Sequence, residues 1–120
     1  RDRSVMVKGM EALTVECFRA AARAGVAEEV ANSLDASEGG LGWAEQTAYN
    51  MERMTAHGIR RAAEMREVAK TLRGLDVAPA MTTGTISWEE EMGALDLSLD
   101  SGTPLAEQLT LIERALEKGE

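Results

Sequence analysis

Apolar residues recur along most of this chain at the three- and four-residue steps of an α-helix, not at the two-residue alternation of a strand. From Ser4 to Ala24, the residues Met6, Met10, Leu13, Cys17, Ala20 and Ala24 follow a 4-3-4-3-4 spacing that puts them on one side of a helix. Val5, Ala12, Val15, Phe18 and Ala22 cover much of the remainder, so this helix is apolar on more than one side, as a helix central to its domain is. Gly9 lowers helix propensity there by about 1 kcal/mol relative to Ala, which invites close approach by another helix or a ligand. Gly25, after Arg23, is a stop signal. A short helix over 27–34 follows, and then a loop over 35–42 made flexible by Ser37, Gly39, Gly40 and Gly42.

A second long pattern begins near Trp43, with Ala44, Thr47, Ala48, Met51 and Met54 on one face. Gly58 either interrupts or bends it. Beyond Gly58, Ala62, Met65, Ala69 and Leu72 form another stripe, with Arg60, Arg61, Glu64, Glu67 and Lys70 on other faces. Gly74 and Asp76 close this helix, and Pro79 opens one that reaches toward Ala94. Gly84, and the local preference of Thr82, Thr83, Thr85 and Ile86 for extended structure, weaken that last assignment. After a connector over 96–103, Thr103 and Pro104 read as an N-cap and first helical position, and Leu105, Leu109, Ile112 and Leu116 make an amphipathic final helix. The pattern predicts an all-α bundle of about six helices built round a central first helix, with 1–95 as the main helical unit and 96–120 as connector and C-terminal amphipathic helix.

Composition narrows the class. A chain of 120 residues fits one domain. Aromatics make up only 3% while methionine occurs seven times, a core chemistry suited to helix-on-helix packing. The net charge of −8 opposes nucleic acid, which demands a surplus of Lys and Arg, and equally opposes an anionic membrane surface. No apolar run approaches the roughly 20 residues of a bilayer span. The single cysteine, Cys17, cannot form an internal disulfide, and no secretory pattern is visible, so the cytoplasm is the expected location.

Few residues offer chemistry. Gly39, Gly40 and Gly42 lack the preceding strand and the spacing of a dinucleotide loop and read as a plain loop. His57, the only histidine, is either a residue at a helix junction or surface, or a proton carrier or anion contact; alone it makes no metal site. Arg53, His57, Arg60, Arg61 and Glu64 share one broad face if the helix continues past Gly58. That face is either solvated, with an Arg60–Glu64 pair, or a cationic patch able to hold a small carboxylate or phosphate. Ser4, Lys8 and Glu11 share a face of the first helix, for which a capping serine and two surface charges suffice. Cys17 reads as core packing, and Trp43 and Trp88 as packing anchors.

The run Lys8-Gly9-Met10-Glu11-Ala12-Leu13-Thr14-Val15-Glu16-Cys17, continuing to Ala24-Gly25-Val26, resembles the long helix of the β-hydroxyacid dehydrogenases. That superfamily includes 3-hydroxyisobutyrate and 6-phosphogluconate dehydrogenases. The run His57-Gly58-Ile59-Arg60-Arg61-Ala62-Ala63-Glu64-Met65-Arg66-Glu67-Val68-Ala69 resembles a bacterial branch of it whose C-terminal half is labelled DUF1932. The resemblance spans roughly residues 3–95. It implies a helical substrate-binding and dimerisation domain that follows a nucleotide-binding domain of the same polypeptide. The whole would be an NAD- or NADP-dependent oxidoreductase acting on a small, anionic hydroxy acid or a related compound.

In such enzymes a lysine on the long helix is the general acid/base, and an asparagine one turn later helps hold the substrate. Here the lysine would fall just before Arg1, and the asparagine position falls on Ser4. By this resemblance Ser4 and Lys8 contact substrate, His57, Arg60 and Arg61 neutralise its anionic group, and Glu64 orients an arginine. The chain alone is expected to bind no NAD(P) and to catalyse nothing. The competing expectation is a stand-alone helical interaction module that binds a partner helix through its methionine-rich stripes.

Overall fold

The computed structural model describes residues 3–37, 42–100 and 102–118. Five helices follow one another: α1 (Arg3–Arg23), α2 (Ala27–Ser37), α3 (Trp43–Gly74), α4 (Ala80–Gly93) and α5 (Leu105–Lys118). No strand occurs among the described residues. The expected all-α bundle is present. Among the described residues the helices number five because α3 runs unbroken through Gly58 for 32 residues, about 48 Å at the helical rise of 1.5 Å per residue. Even so, no helix among the described residues is long and apolar enough to cross a membrane. The second helix extends to Ser37, beyond the expected 27–34. Gly39, Gly40 and Arg1 lie outside the described residues.

Local chemistry explains the helix ends. Gly25 has a φ of 76°, with Val26 N–H bonded to the Ala21 carbonyl and Gly25 N–H to that of Ala22, the Schellman closure of α1. Asp76 performs the same role after α3 at φ 60°, with Val77 bonded back to Leu72 and Asp76 to Arg73. The Asp35 carboxylate accepts the Trp43 backbone N–H at 2.9 Å and so ties the end of α2 to the start of α3. In α4 the threonine-rich stretch is helical: Thr83, Thr85 and Ser87 bond back to the carbonyls four residues earlier. Those bonds satisfy the hydroxyls without a strand.

One core draws on all five helices. Val15 and Phe18 of α1 meet Ala31 of α2, Met51 and Met54 of α3, Met92 of α4, and Leu105, Leu109 and Ile112 of α5. The connector before α5 contributes Leu95, Leu97 and Leu99, which pack against this core while the alternating Asp96, Ser98 and Asp100 are exposed. Arg19 ties α1 to two partners. It donates to Glu91 of α4 and Glu113 of α5, and its guanidinium lies 5.5 Å from the centre of the Trp88 ring.

The orientation of α1 reverses one expectation. The stripe led by Met6, Leu13 and Cys17 faces outward, with Met6 66% and Leu13 54% exposed, and Cys17 is an exposed thiol, not a core residue. The inward face carries Ala12, Val15, Phe18 and Ala21 together with Glu11, Thr14 and Arg19. Both faces are apolar enough to bury, and the inward one holds the bulky Phe18 and the two charges that find partners.

The closest helix contact is between α3 and α4. A Cβ placed on Gly58 would lie 2.1 Å from the Glu89 carbonyl oxygen and 2.8 Å from the Gly93 nitrogen. A Cβ on Gly93 would lie 2.6 Å from the Ile59 nitrogen. Backbone therefore packs on backbone, and neither position accepts a side chain. Gly84, also within α4, has nothing within 4 Å of its virtual Cβ. Gly58→Ala is expected to cost about 3 kcal/mol by forcing the helices apart, whereas Gly84→Ala should gain about 0.5–1 kcal/mol through helix propensity. Urea unfolding of both variants reads the contrast; equal effects would contradict the backbone contact.

Candidate functional site

The polar strip of α1 turns toward the α3–α4 crossing. Ser4 and Lys8 are half-buried and Glu11 is buried. Glu11 Oε2 is paired with Arg61 Nη1 of α3, and both side chains are almost fully removed from water. Opposite them, Glu89 of α4 is 0% exposed. Neither Glu89 oxygen, nor Glu11 Oε1, has a hydrogen-bond donor among the described residues. Burial raises the Glu89 pKa to about 9, helped by its hydrogen-bonding neighbour Glu11 and by that carboxylate's charge; Arg61 and Lys8 pull the other way. Two carboxylates, a guanidinium and a nearby ammonium thus gather from three helices at the tightest point of the bundle.

The remaining nominated residues lie farther along α3. His57 and Arg60 line a surface depression of about 350 Å³ with Thr55, Gly58 and Gly93. Loss of water contact, then the charges of Arg53, Arg60 and Arg61, hold His57 below its usual 6.5, against an opposing pull from Glu52. The imidazole is therefore neutral near pH 7. Arg60 and Glu64 are exposed and approach to 3.7 Å at i,i+4, the geometry of a weak surface pair. Arg53 lies 3.8 Å from Glu52.

The six nominated residues thus divide. Lys8 and Arg61 belong to the buried cluster, Ser4 lies one turn before Lys8, His57 and Arg60 edge the depression, and Glu64 stands outside with Arg60. Arg61 is held by Glu11, so Glu64 is no orienting partner for it. Glu89 escaped notice in the sequence because it opens the run Glu89-Glu90-Glu91, which has the look of a solvated face. Its signal was the spacing Thr82, Thr85, Glu89, Met92, the 3-4-3 stripe that α4 buries.

A larger depression, of about 580 Å³, lies between the end of α1, the start of α2 and α5. Arg23 and Glu113 edge it and pair with each other. Burial disfavours ionised Glu113, but hydrogen bonds from Arg19 and Arg23 and their charges prevail and hold its pKa below the usual carboxylate range. None of the nominated residues lines this depression. No group of three His, Cys, Asp or Glu side chains suited to a metal ion occurs among the described residues.

The fold and this helix order define a class, the helical bundle whose long third helix is crossed by the fourth at paired glycines. The chain belongs to the family described as Domain of unknown function (DUF1932), which matches residues 21–92. Among solved structures, it is similar to the crystal structure of a conserved hypothetical protein from Sinorhizobium meliloti 1021, with a TM-score of 0.84 and 31% sequence identity. The similarity covers 94% of this chain but only 38% of that chain. No curated protein matches.

Truncating one member of a buried ion pair leaves the other charge stranded. Arg61→Ala is expected to cost about 3 kcal/mol of stability at neutral pH, while Arg60→Ala should change it by less than about 0.5 kcal/mol. Denaturant midpoints of the two variants test the assignment. Equal midpoints would place Arg61 in solvent.

Proposed function

We propose that this chain is the C-terminal substrate-binding and dimerisation domain of an NAD(P)-dependent oxidoreductase of the β-hydroxyacid dehydrogenase type, acting on a small anionic hydroxy acid or related compound. The observation that carries this reading is the outward face of α1. Met6, Leu13 and Cys17 are exposed on a helix whose opposite face is core. A helix with a second apolar face turned away from its own core has surface left for a neighbouring domain or subunit to cover. In keeping with that, the chain spans 38% of the similar Sinorhizobium protein, so the bundle occurs there within a longer polypeptide. The sequence resemblance supplies the identity of the neighbours: a nucleotide-binding domain and a second subunit.

Within this reading the parts have separate tasks. Ser4 and Lys8 form a wall of the substrate cleft, and Lys8 supplies positive charge toward the substrate anion. His57 and Arg60, edging the depression on α3, are a second contact for an anionic group. Arg61 acts indirectly, by holding Glu11 and hence the inward strip of α1. NAD or NADP would be held by the nucleotide-binding domain and supply the hydride chemistry.

The stand-alone interaction module is favoured by the same exposed Met6 and Leu13, and three measurements bear on the choice. In the longer enzyme, Lys8→Ala should raise KM for an anionic hydroxy-acid substrate about tenfold, with a smaller effect on kcat, as loss of a binding charge does. Unchanged kinetics would remove Lys8 from the cleft. For the 120-residue chain, light scattering at tens of micromolar should show a dimer and a titration with NADPH no binding; a clean monomer would sink the dimer, and micromolar NADPH affinity would sink the division of labour.

A further inference from the structure

We propose that Glu89 and Glu11 hold one proton between them, and that this proton latches α1 to α4, so that its loss in alkaline solution loosens the seam between the two helices. The inference is independent of the enzymatic reading.

The count of buried charges comes first. Arg61 faces the cluster from α3, Glu11 and Lys8 from α1, and Glu89 from α4 itself. Arg61 is spent on Glu11, to which it is directly paired. Lys8 is half-buried and acts on Glu89 through its charge. An ionised Glu89 would therefore be a carboxylate with no contact to water and no donor, beside a second carboxylate, and burying such a charge is prohibitively unfavourable.

The count of hydrogen bonds agrees. Three acceptor atoms, Glu11 Oε1 and both oxygens of Glu89, lack a donor among the described residues. One proton on Glu89 converts that group from acceptor to donor and gives Glu11 Oε1 its partner. This single proton accounts for two of the three orphan oxygens, and no other placement of it joins the two carboxyls while keeping Glu11 ionised for Arg61. Like-charged carboxyls at one site share a proton for the same reason.

The backbone removes the easy escape. The Glu89 carbonyl packs directly on Gly58, and Gly93, one turn on, packs on Ile59. α4 can neither roll nor slide on α3 to carry the carboxylate to water. Relief then has to come on the other side, where α1 lies. The seam between α1 and α4 is also marked by a reporter: Trp88 Nε1 donates to Glu16 Oε1 at 2.8 Å, on the same two helices.

The sign of the pH effect follows from proton counting. The folded chain retains a proton that the unfolded chain loses above the ordinary carboxyl range. Stability from this group is complete in mild acid and declines as pH rises toward 9, where the folded form also loses the proton. Each pH unit in that window shifts the folding equilibrium constant by up to tenfold per proton.

The test uses the 120-residue chain and Glu89→Gln, which keeps the shape, is neutral at every pH and offers an amide donor to Glu11. The ratio of folding constants, variant over wild type, is expected to climb steeply from pH 5.5 to 9 and then level. A ratio flat with pH would overturn the shared proton. Carbon-13 NMR of the wild-type side-chain carboxyls needs no variant to fold: one glutamate should titrate far above the rest, and a set in which every carboxyl titrates in the ordinary range would overturn the proposal as well. For the latch, the Trp88 indole N–H resonance, identified with Trp88→Phe, should shift with the same alkaline midpoint in wild type and stay fixed in Glu89→Gln. An indole signal indifferent to the Glu89 titration would overturn the coupling to the seam.

Discussion

The contact between Gly58 and Gly93 sets the geometry on which the rest of this bundle depends. Each glycine inside a helix costs about 1 kcal/mol of propensity relative to alanine. That cost is offset by letting α4 lie backbone to backbone on the middle of α3, where any Cβ would collide. The crossing then fixes everything within a turn of it. Arg61 follows Gly58 by three residues and Glu89 precedes Gly93 by four, so both sit one turn from the contact and meet Glu11 of α1. A polar cluster at the tightest point of a bundle has no room for water to mediate, and its members must satisfy one another directly.

Crowding also sorts the cations of α3 into two kinds. Arg53 and Arg60 remain in contact with solvent and make long, weak approaches to Glu52 and Glu64. Charges of that kind stay available to a solute, since exposed pairs are worth little and exchange readily with water. Arg61 has the opposite character, because its partner is buried with it. His57 stands between these regimes, its pKa held below the usual value by partial loss of water contact first and by its cationic neighbours second. In a chain of net charge −8 this short stretch is a local reversal of sign, and only its outward members can express it toward a ligand.

Periodicity made most of the helices legible, and the stripes Ala44–Met54 of α3 and Leu105–Leu116 of α5 do point into the core. Glycine was the difficult letter. Gly25 ends a helix, Gly58 lets another pass, and nothing local separates the two, since the difference lies in α4, which reaches Gly58 from thirty-odd residues away. The choice between Arg60 and Arg61 was more accessible. Arg61 lies four residues before Met65 on the buried stripe, whereas Arg60 aligns with exposed Glu64. Glu89 was concealed by its neighbours Glu90 and Glu91, and the alternation Thr82, Thr85, Glu89, Met92 identifies it only once α4 is accepted as a helix in spite of its threonines.

The orientation of α1 shows what the buried charges contribute beyond stability. Replacing a buried ion pair with apolar side chains is often neutral or favourable, so the Glu11–Arg61 pair is poor evidence of a stability device. The helix has a separate problem of choice, however. Met6, Met10, Leu13 and Cys17 make one apolar face, while Ala12, Val15, Phe18 and Ala21 make the other, and hydrophobic burial alone distinguishes them weakly. Half a turn of rotation would bury the first set and carry Glu11 and Arg19 into water. It would also strand Arg61 on α3 and Glu113 on α5 without their partners. The charged contacts therefore reject the alternative packing more than they favour the observed one. They leave the Met6–Leu13–Cys17 face outward in every folded copy, so whatever neighbour covers that face meets it in a single orientation.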